Sequence, residues 1–317
     1  MHCEQSKHAD TIHRVTTSRL FSDQAPLRSC MLPADNGHQL HVQQWGRADG
    51  IPALLLHGGP GSGSSPVLRR FFDPERYRMI CPDQRGAGLS TPAGSIAQNT
   101  TTHLLHDLRV LRAALGIECW LVVGGSWGAT LALAHALDQP DAVSGLLLRS
   151  SFLARMQDID GFFEAAPATL AHGWLSLPEL RGNALREMTQ LWFDWEQQLS
   201  GAQATKTKLE GDLLAARIAR YRVQSHYLRH GCWLQTSPLL QRCKALPPVP
   251  TLLLHGTQDR ICPPECAHTL HAHITGSKLE WAQGAGHDPT HSAMVDKMVN
   301  ALATFAIRGQ FQPSPLA

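Results

Sequence analysis

Three residues have the types and local settings for nucleophilic acyl chemistry: Ser126, Asp259 and His287. Ser126 sits in Gly124-Gly125-Ser126-Trp127-Gly128, between the apolar run Cys119-Trp120-Leu121-Val122-Val123 and a second apolar run, Ala129 to Leu137, of helical character. A strand that reverses sharply into a helix has no room for large neighbours, so Gly124 and Gly128 let the turn close. The serine between them is then held in strained backbone geometry with its hydroxyl exposed. The helix that follows aims free N–H groups and a partial positive charge at the place where an oxyanion would form.

A serine alone is inert at neutral pH and needs a base and a group that orients the base. Strand–turn–helix settings of this kind take their partners in the chain order serine, acid, histidine. Thr251-Leu252-Leu253-Leu254-His255 reads as a buried strand, and Asp259 follows it in the loop Gly256-Thr257-Gln258-Asp259. Lys278-Leu279-Glu280-Trp281 reads as a last strand, and Gly284-Ala285-Gly286-His287 as a flexible turn that lifts an imidazole over the serine. With 18 histidines in the chain, the competitors need weighing. His255 lies inside its strand and reads as a packed or capping residue, His291 falls in the helix after the turn, and Asp288 is too close to His287 to fold back onto its ring.

The elements that position these residues follow from periodicity. Short apolar strands at Gln39–Trp45, Ala53–His57, Tyr77–Pro82, Trp120–Gly124 and Ser144–Leu148 alternate with helical patterns, one of them Thr101–Leu115 with Leu104, Leu105, Leu108, Leu111 and Leu115 on one face. This alternation predicts an α/β fold with a mainly parallel central sheet flanked by helices. From Phe152 the pattern turns to helices without strands, until Pro247-Pro248-Val249-Pro250 leads back. The expected organisation is an N-terminal extension over residues 1–23, a core over 24–151, an inserted helical cap over 152–247, and a second core segment over 248–317 whose end, from Phe311, frays.

Two more glycine-rich strings follow strands: His57-Gly58-Gly59-Pro60-Gly61-Ser62-Gly63 and Asp83-Gln84-Arg85-Gly86-Ala87-Gly88-Leu89-Ser90. Amides somewhere within Gly58–Gly61 would complete an oxyanion hole with the N–H of Trp127, while Asp83 and Arg85 read as a loop ion pair. Together with Gly-Gly-Ser-Trp-Gly, with Arg70-Phe71-Phe72-Asp73-Pro74 and with the stretch Asn99 to Leu115, these strings resemble the proline iminopeptidases. Those enzymes are α/β-hydrolases that remove an N-terminal proline from short peptides, and the likeness runs from about Pro33 to His287. The resemblance implies Ser126 as nucleophile, Asp259 and His287 as its partners, and Gly59 and Trp127 as oxyanion donors.

The same resemblance implies two cap glutamates that receive the substrate's free amine. Trp192, Trp195 and Glu196 match the pattern of the first, whereas Tyr221-Arg222-Val223-Gln224-Ser225-His226-Tyr227 carries Gln224 at the second. A neutral amide still accepts a hydrogen bond from an ammonium group but does not offset its charge, a difference of roughly 1–3 kcal/mol in a partly buried pocket. The leading expectation is therefore a serine hydrolase that releases an N-terminal proline or similar small residue through an acyl-enzyme. The alternative is an esterase, lactonase or amidase acting on a small non-peptide substrate; a catalytically silent ligand-binding protein is a distant third.

Composition bounds the remainder. A 317-residue chain that is 43% hydrophobic can bury a sizeable core, and a net charge of +2 without long basic runs argues against nucleic acid as a partner. The arginines at 217, 220, 222 and 229 read as a solvated helix face that could also favour an acidic substrate. The eight cysteines show no paired framework, which suits a reducing compartment, and Cys262 and Cys266 lack companions at zinc spacing. Neither a secretory signal nor an apolar run of about 20 residues is present, so no membrane association is expected and a cytoplasmic location is. No metal or cofactor is expected.

Overall fold

The computed structural model describes residues 20–199 and 207–311. Eight strands form one sheet: β1 (Arg28–Pro33), β2 (Gln39–Gly46), β3 (Ile51–Leu56), β4 (Tyr77–Pro82), β5 (Trp120–Gly125), β6 (Val143–Arg149), β7 (Thr251–Gly256) and β8 (Lys278–Ala282). Their spatial order is β1-β2-β4-β3-β5-β6-β7-β8. From β4 to β8 every neighbouring pair is parallel, while β1 and β2 form an antiparallel edge. The edge strand β1 is the one strand that periodicity does not reveal, because in Arg28-Ser29-Cys30-Met31-Leu32-Pro33 only Cys30 and Leu32 pack on the core, an apolar alternation too short to stand out.

The parallel strands are apolar at successive positions because both faces of the sheet are covered. Leu54 and Leu56 of β3 and Val122 of β5 face a core shared with helices α2 (Thr101–Ala114), α3 (Trp127–Asp138) and α9 (Pro264–His273). Ala53, Leu55, Leu121 and Val123 face the opposite core, built on α10 (Ser292–Arg308) and the Phe71–Phe72 corner after α1 (Pro66–Arg69). Helix α3 is rich in Ala and Leu, strong helix formers, and all but the last two of its residues are buried, as a helix apolar on every side requires.

Between β6 and β7 the chain forms α4 (Met156–Phe163), α5 (Ala168–Leu175), α6 (Gly182–Leu199), α7 (Gly211–Arg229) and α8 (Leu239–Arg242) with no strand among the described residues. Helices α5, α6 and α7 pack on one another around Phe162, Phe163, Trp174, Trp192 and Tyr221, with Trp174 stacked on Trp192 at 4.7 Å. Trp127 meets Tyr227 of α7 edge to face at 5.0 Å, which ties this helical insert to the core beside the elbow.

Of the expected N-terminal extension, residues 1–19 lie outside the described residues, but the next four are docked. Phe21 exchanges hydrogen bonds with Arg70 and Asp23 pairs with Arg69. Phe311 does not fray either: its ring packs on Phe305 and its carbonyl accepts from Lys278, so apolar burial outweighs the end-of-chain entropy; residues 312–317 lie outside the described residues.

Candidate active site

Every loop that the sequence singled out leaves the carboxyl end of a parallel strand, and in a parallel sheet those ends lie along one rim. The loop after β3 carries Gly58–Gly63, that after β5 Ser126, that after β7 Asp259, and that after β8 His287.

Ser126 has φ 58° and ψ −125°, a left-handed backbone that a non-glycine residue adopts only at a cost of about 1–3 kcal/mol. Its neighbours show why the turn needs glycine. A Cβ on Gly124 would lie 2.2 Å from the Gly128 carbonyl oxygen, and one on Gly128 would lie 2.1 Å from that of Leu56. The Ser126 N–H donates to the Arg149 carbonyl at 3.0 Å, and Trp127 begins α3, so its N–H has no acceptor one turn earlier in that helix.

His287 and Asp259 meet across the strand ends. The imidazole Nδ1 lies 3.1 and 2.9 Å from the two carboxylate oxygens of Asp259. Asp259 Oδ1 also accepts the N–H groups of Ile261 and Cys262 at 3.0 and 2.9 Å. Burial opposes ionisation of Asp259, but the hydrogen bond and charge of His287 and the Cys262 N–H outweigh it and hold the carboxyl below its ordinary value. An ionised Asp259 fixes the imidazole proton on Nδ1 and leaves Nε2 as an acceptor, the form a general base needs. His255 is buried with Nε2 on the Cys262 carbonyl at 2.8 Å, and burial holds it neutral. His291 precedes α10 as its cap rather than lying within it.

One cavity of about 260 Å³ brings the pieces together: Gly59, Ser126, Glu196, Gln224 and His287 all line it. The Ser126 hydroxyl lies 3.9 Å from the Cys262 sulfur, whose thiol burial keeps protonated, and no direct hydrogen bond joins it to His287 among the described residues. Such contacts tighten when substrate binds. Glu196 is held by Trp192 Nε1 at 3.2 Å and Tyr221 Oη at 2.5 Å. Gln224 is 5% exposed; its Nε2 donates to the Gly59 carbonyl at 3.2 Å, and its Oε1 is buried without a partner.

The glycine loops are fastened to the elbow. Trp127 Nε1 donates to Gln84 Oε1 at 2.8 Å, while Gln84 donates from Nε2 to the His57 carbonyl and from its backbone to His57 Nε2, each at 3.0 Å. The expected Asp83–Arg85 ion pair does not form. Two residues apart on a bent loop, the side chains diverge: Arg85 binds Asp107 and Asp35, and Asp83 binds His41 and the N–H groups of Ser64 and Leu89. Sequence reasoning also passed over Arg149, whose signal is a lone cation closing the apolar run Leu146-Leu147-Leu148. It is buried beside Ser126 and His287, its Nη1 donates to the His287 carbonyl at 2.9 Å and to Ser150 Oγ at 3.0 Å, and burial weakens its hold on its proton. Among the described residues, Asp158, Glu265 and Cys266 form a group of metal-ligand type, but the Arg155 guanidinium already holds both carboxylates.

A strained serine at a strand-to-helix turn and a carboxylate–imidazole pair on neighbouring strand ends define a class of fold. The chain belongs to the α/β-hydrolases: the family model of the alpha/beta hydrolase fold matches residues 52–292. Within that class it is a member of the proline iminopeptidase family. It is 33% identical over 314 residues to the proline iminopeptidase of Xylella fastidiosa, covering 90% of this chain and 99% of that one. It is 34% identical over 313 residues to the proline iminopeptidase of Arabidopsis thaliana, covering 90% and 82%. Among solved structures, proline iminopeptidase from Mycobacterium smegmatis shares the fold with a TM-score of 0.60 at 20% identity, over 89% of this chain and 98% of that one. The protein is thus a hydrolase, and no helix among its described residues is long and apolar enough to cross a membrane.

Proposed function

We propose that the protein releases an N-terminal proline, or a similarly small residue, from short peptides. Ser126 attacks the carbonyl carbon of the first residue while His287 Nε2 takes the hydroxyl proton, and Asp259 stabilises the imidazolium. The N–H groups of Gly59 and Trp127 bind the oxyanion. His287 then gives the proton to the leaving amine, and a water molecule, deprotonated by the same imidazole, hydrolyses the acyl-enzyme.

The observation that carries this reading is the shared cavity. A nucleophile, its base, a carboxylate and an amide acceptor line one space of about 260 Å³. That volume lies just below the range of about 300–1,000 Å³ that drug-sized ligands fill, so it suits a short peptide rather than a protein chain. Glu196 offers negative charge to the substrate ammonium and Gln224 Oε1 offers an acceptor that no group among the described residues satisfies. The helical insert, residues 152–247, acts as the cap that bounds this space. We also place the protein in the cytoplasm, supported by the unpaired state of all seven described cysteines.

The test compares proline arylamide, its N-acylated form and a simple aryl ester. Turnover of the free-amine arylamide well above the acylated one is expected. Efficient cleavage of the ester alone would overturn the peptidase reading in favour of a small-molecule esterase.

A further inference from the structure

Of the four arginines on α7, three are accounted for without a ligand. Arg229 pairs with Glu179 and Arg217 lies over the Phe193 ring, while Arg222, whose Nε is buried without a partner, stands away from the catalytic cavity and so has no substrate to meet there. Arg220 differs. It lines the catalytic cavity and also the neighbouring one of about 460 Å³, and with Ser62 it marks where the two meet. The second cavity is walled by Gly61, Gly86 and Gly88 of the glycine loops and by Ala215, Ala216 and Ala219 of α7.

That position is fixed by close packing. A Cβ on Gly61 would lie 2.7 Å from the Arg220 carbonyl oxygen, and one on Gly94 would lie 2.8 Å from the Ala219 Cα, so glycines in the loops let α7 approach at van der Waals distance. Arg220 therefore enters the site from a backbone with little room to shift.

The charges facing the cavity can be assigned one by one. Arg149 is held by the His287 carbonyl and Ser150, and Glu196 by Trp192 and Tyr221. Arg220 has no hydrogen-bond or carboxylate partner among the described residues. Its Nε is buried and unsatisfied, and the Tyr221 ring lies 5.7 Å from the guanidinium carbon. A half-buried guanidinium without an acceptor calls for an anion, and a planar carboxylate matches its fork. Given the peptidase reading, on which this inference rests, Glu196 and Gln224 hold the substrate's amine at one part of the cavity. Arg220 lies one helical turn before Gln224 on α7 and lines the same cavity as Ser126, and a dipeptide is short enough for its carboxylate to lie near both.

We propose that Arg220 receives the free α-carboxylate of the departing residue, making dipeptides with a free C-terminus the preferred substrates. The cavity then reads both ends of a zwitterion, cation at Glu196 and Gln224, anion at Arg220.

The test is the ratio of kcat/KM for prolyl-alanine to that for prolyl-alaninamide, measured in wild type, Arg220→Gln and Arg220→Lys. The two substrates differ only in the charge at the far end, and their difference in leaving-group chemistry cancels when proteins are compared. Arg220→Gln should lower the ratio about tenfold or more, Arg220→Lys should retain part of it, and added salt should lower it in wild type. Melting curves check that both variants fold, and the lysine variant keeps the test open if the glutamine variant does not. A ratio that stays within twofold in both variants, with both peptides cleaved, overturns the role of Arg220 and leaves the peptidase reading standing. Cleavage of an aryl ester with neither peptide cleaved overturns the peptidase reading, and this proposal with it.

Discussion

Two serine–histidine–aspartate arrays stand out among the described residues, and the better hydrogen-bonded of the two is the one outside the proposed catalytic cavity. On the antiparallel edge, His41 Nδ1 lies 3.0 Å from Asp83 Oδ2 and His41 Nε2 lies 3.0 Å from Ser29 Oγ. By distance alone this is a complete relay. The array proposed as catalytic has the acid–base contact but no direct serine–histidine bond. The difference lies in what surrounds each hydroxyl. Ser29 is exposed in a regular edge strand, starts no helix, and meets His41 because strand pairing makes them diagonal neighbours. Ser126 has a left-handed backbone, the first amides of α3 beside it and a cavity in front of it. A relay moves protons; catalysis also requires donors aimed at developing charge and a place for substrate.

The most direct way to break this contrast is to remove each hydroxyl. Ser126→Ala should cut turnover of proline arylamide by on the order of 10⁶, while Ser29→Ala should remain within twofold. A fluorophosphonate probe should modify wild type once, at Ser126, and leave Ser126→Ala unlabelled; labelling at Ser29 would erase the distinction. The two acids should part in the same way. Asp259→Asn should cost roughly 10⁴ in kcat with little change in KM, since it disturbs the base and not substrate binding. Asp83→Asn should leave kcat of the folded enzyme near wild type and lower stability by about 2–3 kcal/mol in denaturant titration, because Asp83 anchors His41 and two loop amides.

A smaller effect sharpens the contrast at the substrate end, where the proposed catalytic array alone has selecting side chains. Gln224→Glu adds a second negative charge near Glu196, so the preference for proline arylamide over an isosteric ester should rise about tenfold. The Gly59 carbonyl, which accepts from Gln224 Nε2, would lose that donor, so the gain should be accompanied by a slight fall in melting temperature. Smallest is the effect of acid. The folded-state pKa of Asp259 is depressed from 3.8, so the stability of its ionised form is present above that value and lost as pH falls through the lower, folded one. Any stability that Asp259→Asn forfeits at pH 7 should therefore shrink below pH 4, which paired melting curves would detect.

How much of this was legible in the sequence depended on whether the signal was local. The strand–glycine–serine–helix run at Ser126 and the strand-then-loop placement of Asp259 and His287 are local patterns, and the structure has those elements within a residue or two. The strand β1 was not legible because its apolar alternation, Cys30 and Leu32, is too short to stand out. Partner choices across long separations were not legible either: Asp83 takes His41, 42 residues away, rather than Arg85. Arg220 looked like one more surface cation, since nothing in the run Arg217 to Arg222 says which side chain turns into a cavity. That is decided by glycines more than a hundred residues earlier, which let α7 settle against the loops.

Arg149 works as a spacer gauge. Its carbonyl takes the N–H of Ser126 and its guanidinium takes the carbonyl of His287, so one residue at the tip of β6 spans the gap between the loops after β5 and β8. The separation of Ser126 and His287 is thus machined into the length of a single side chain. A change at Arg149 would detune the reaction with all three members of the proposed triad still in place.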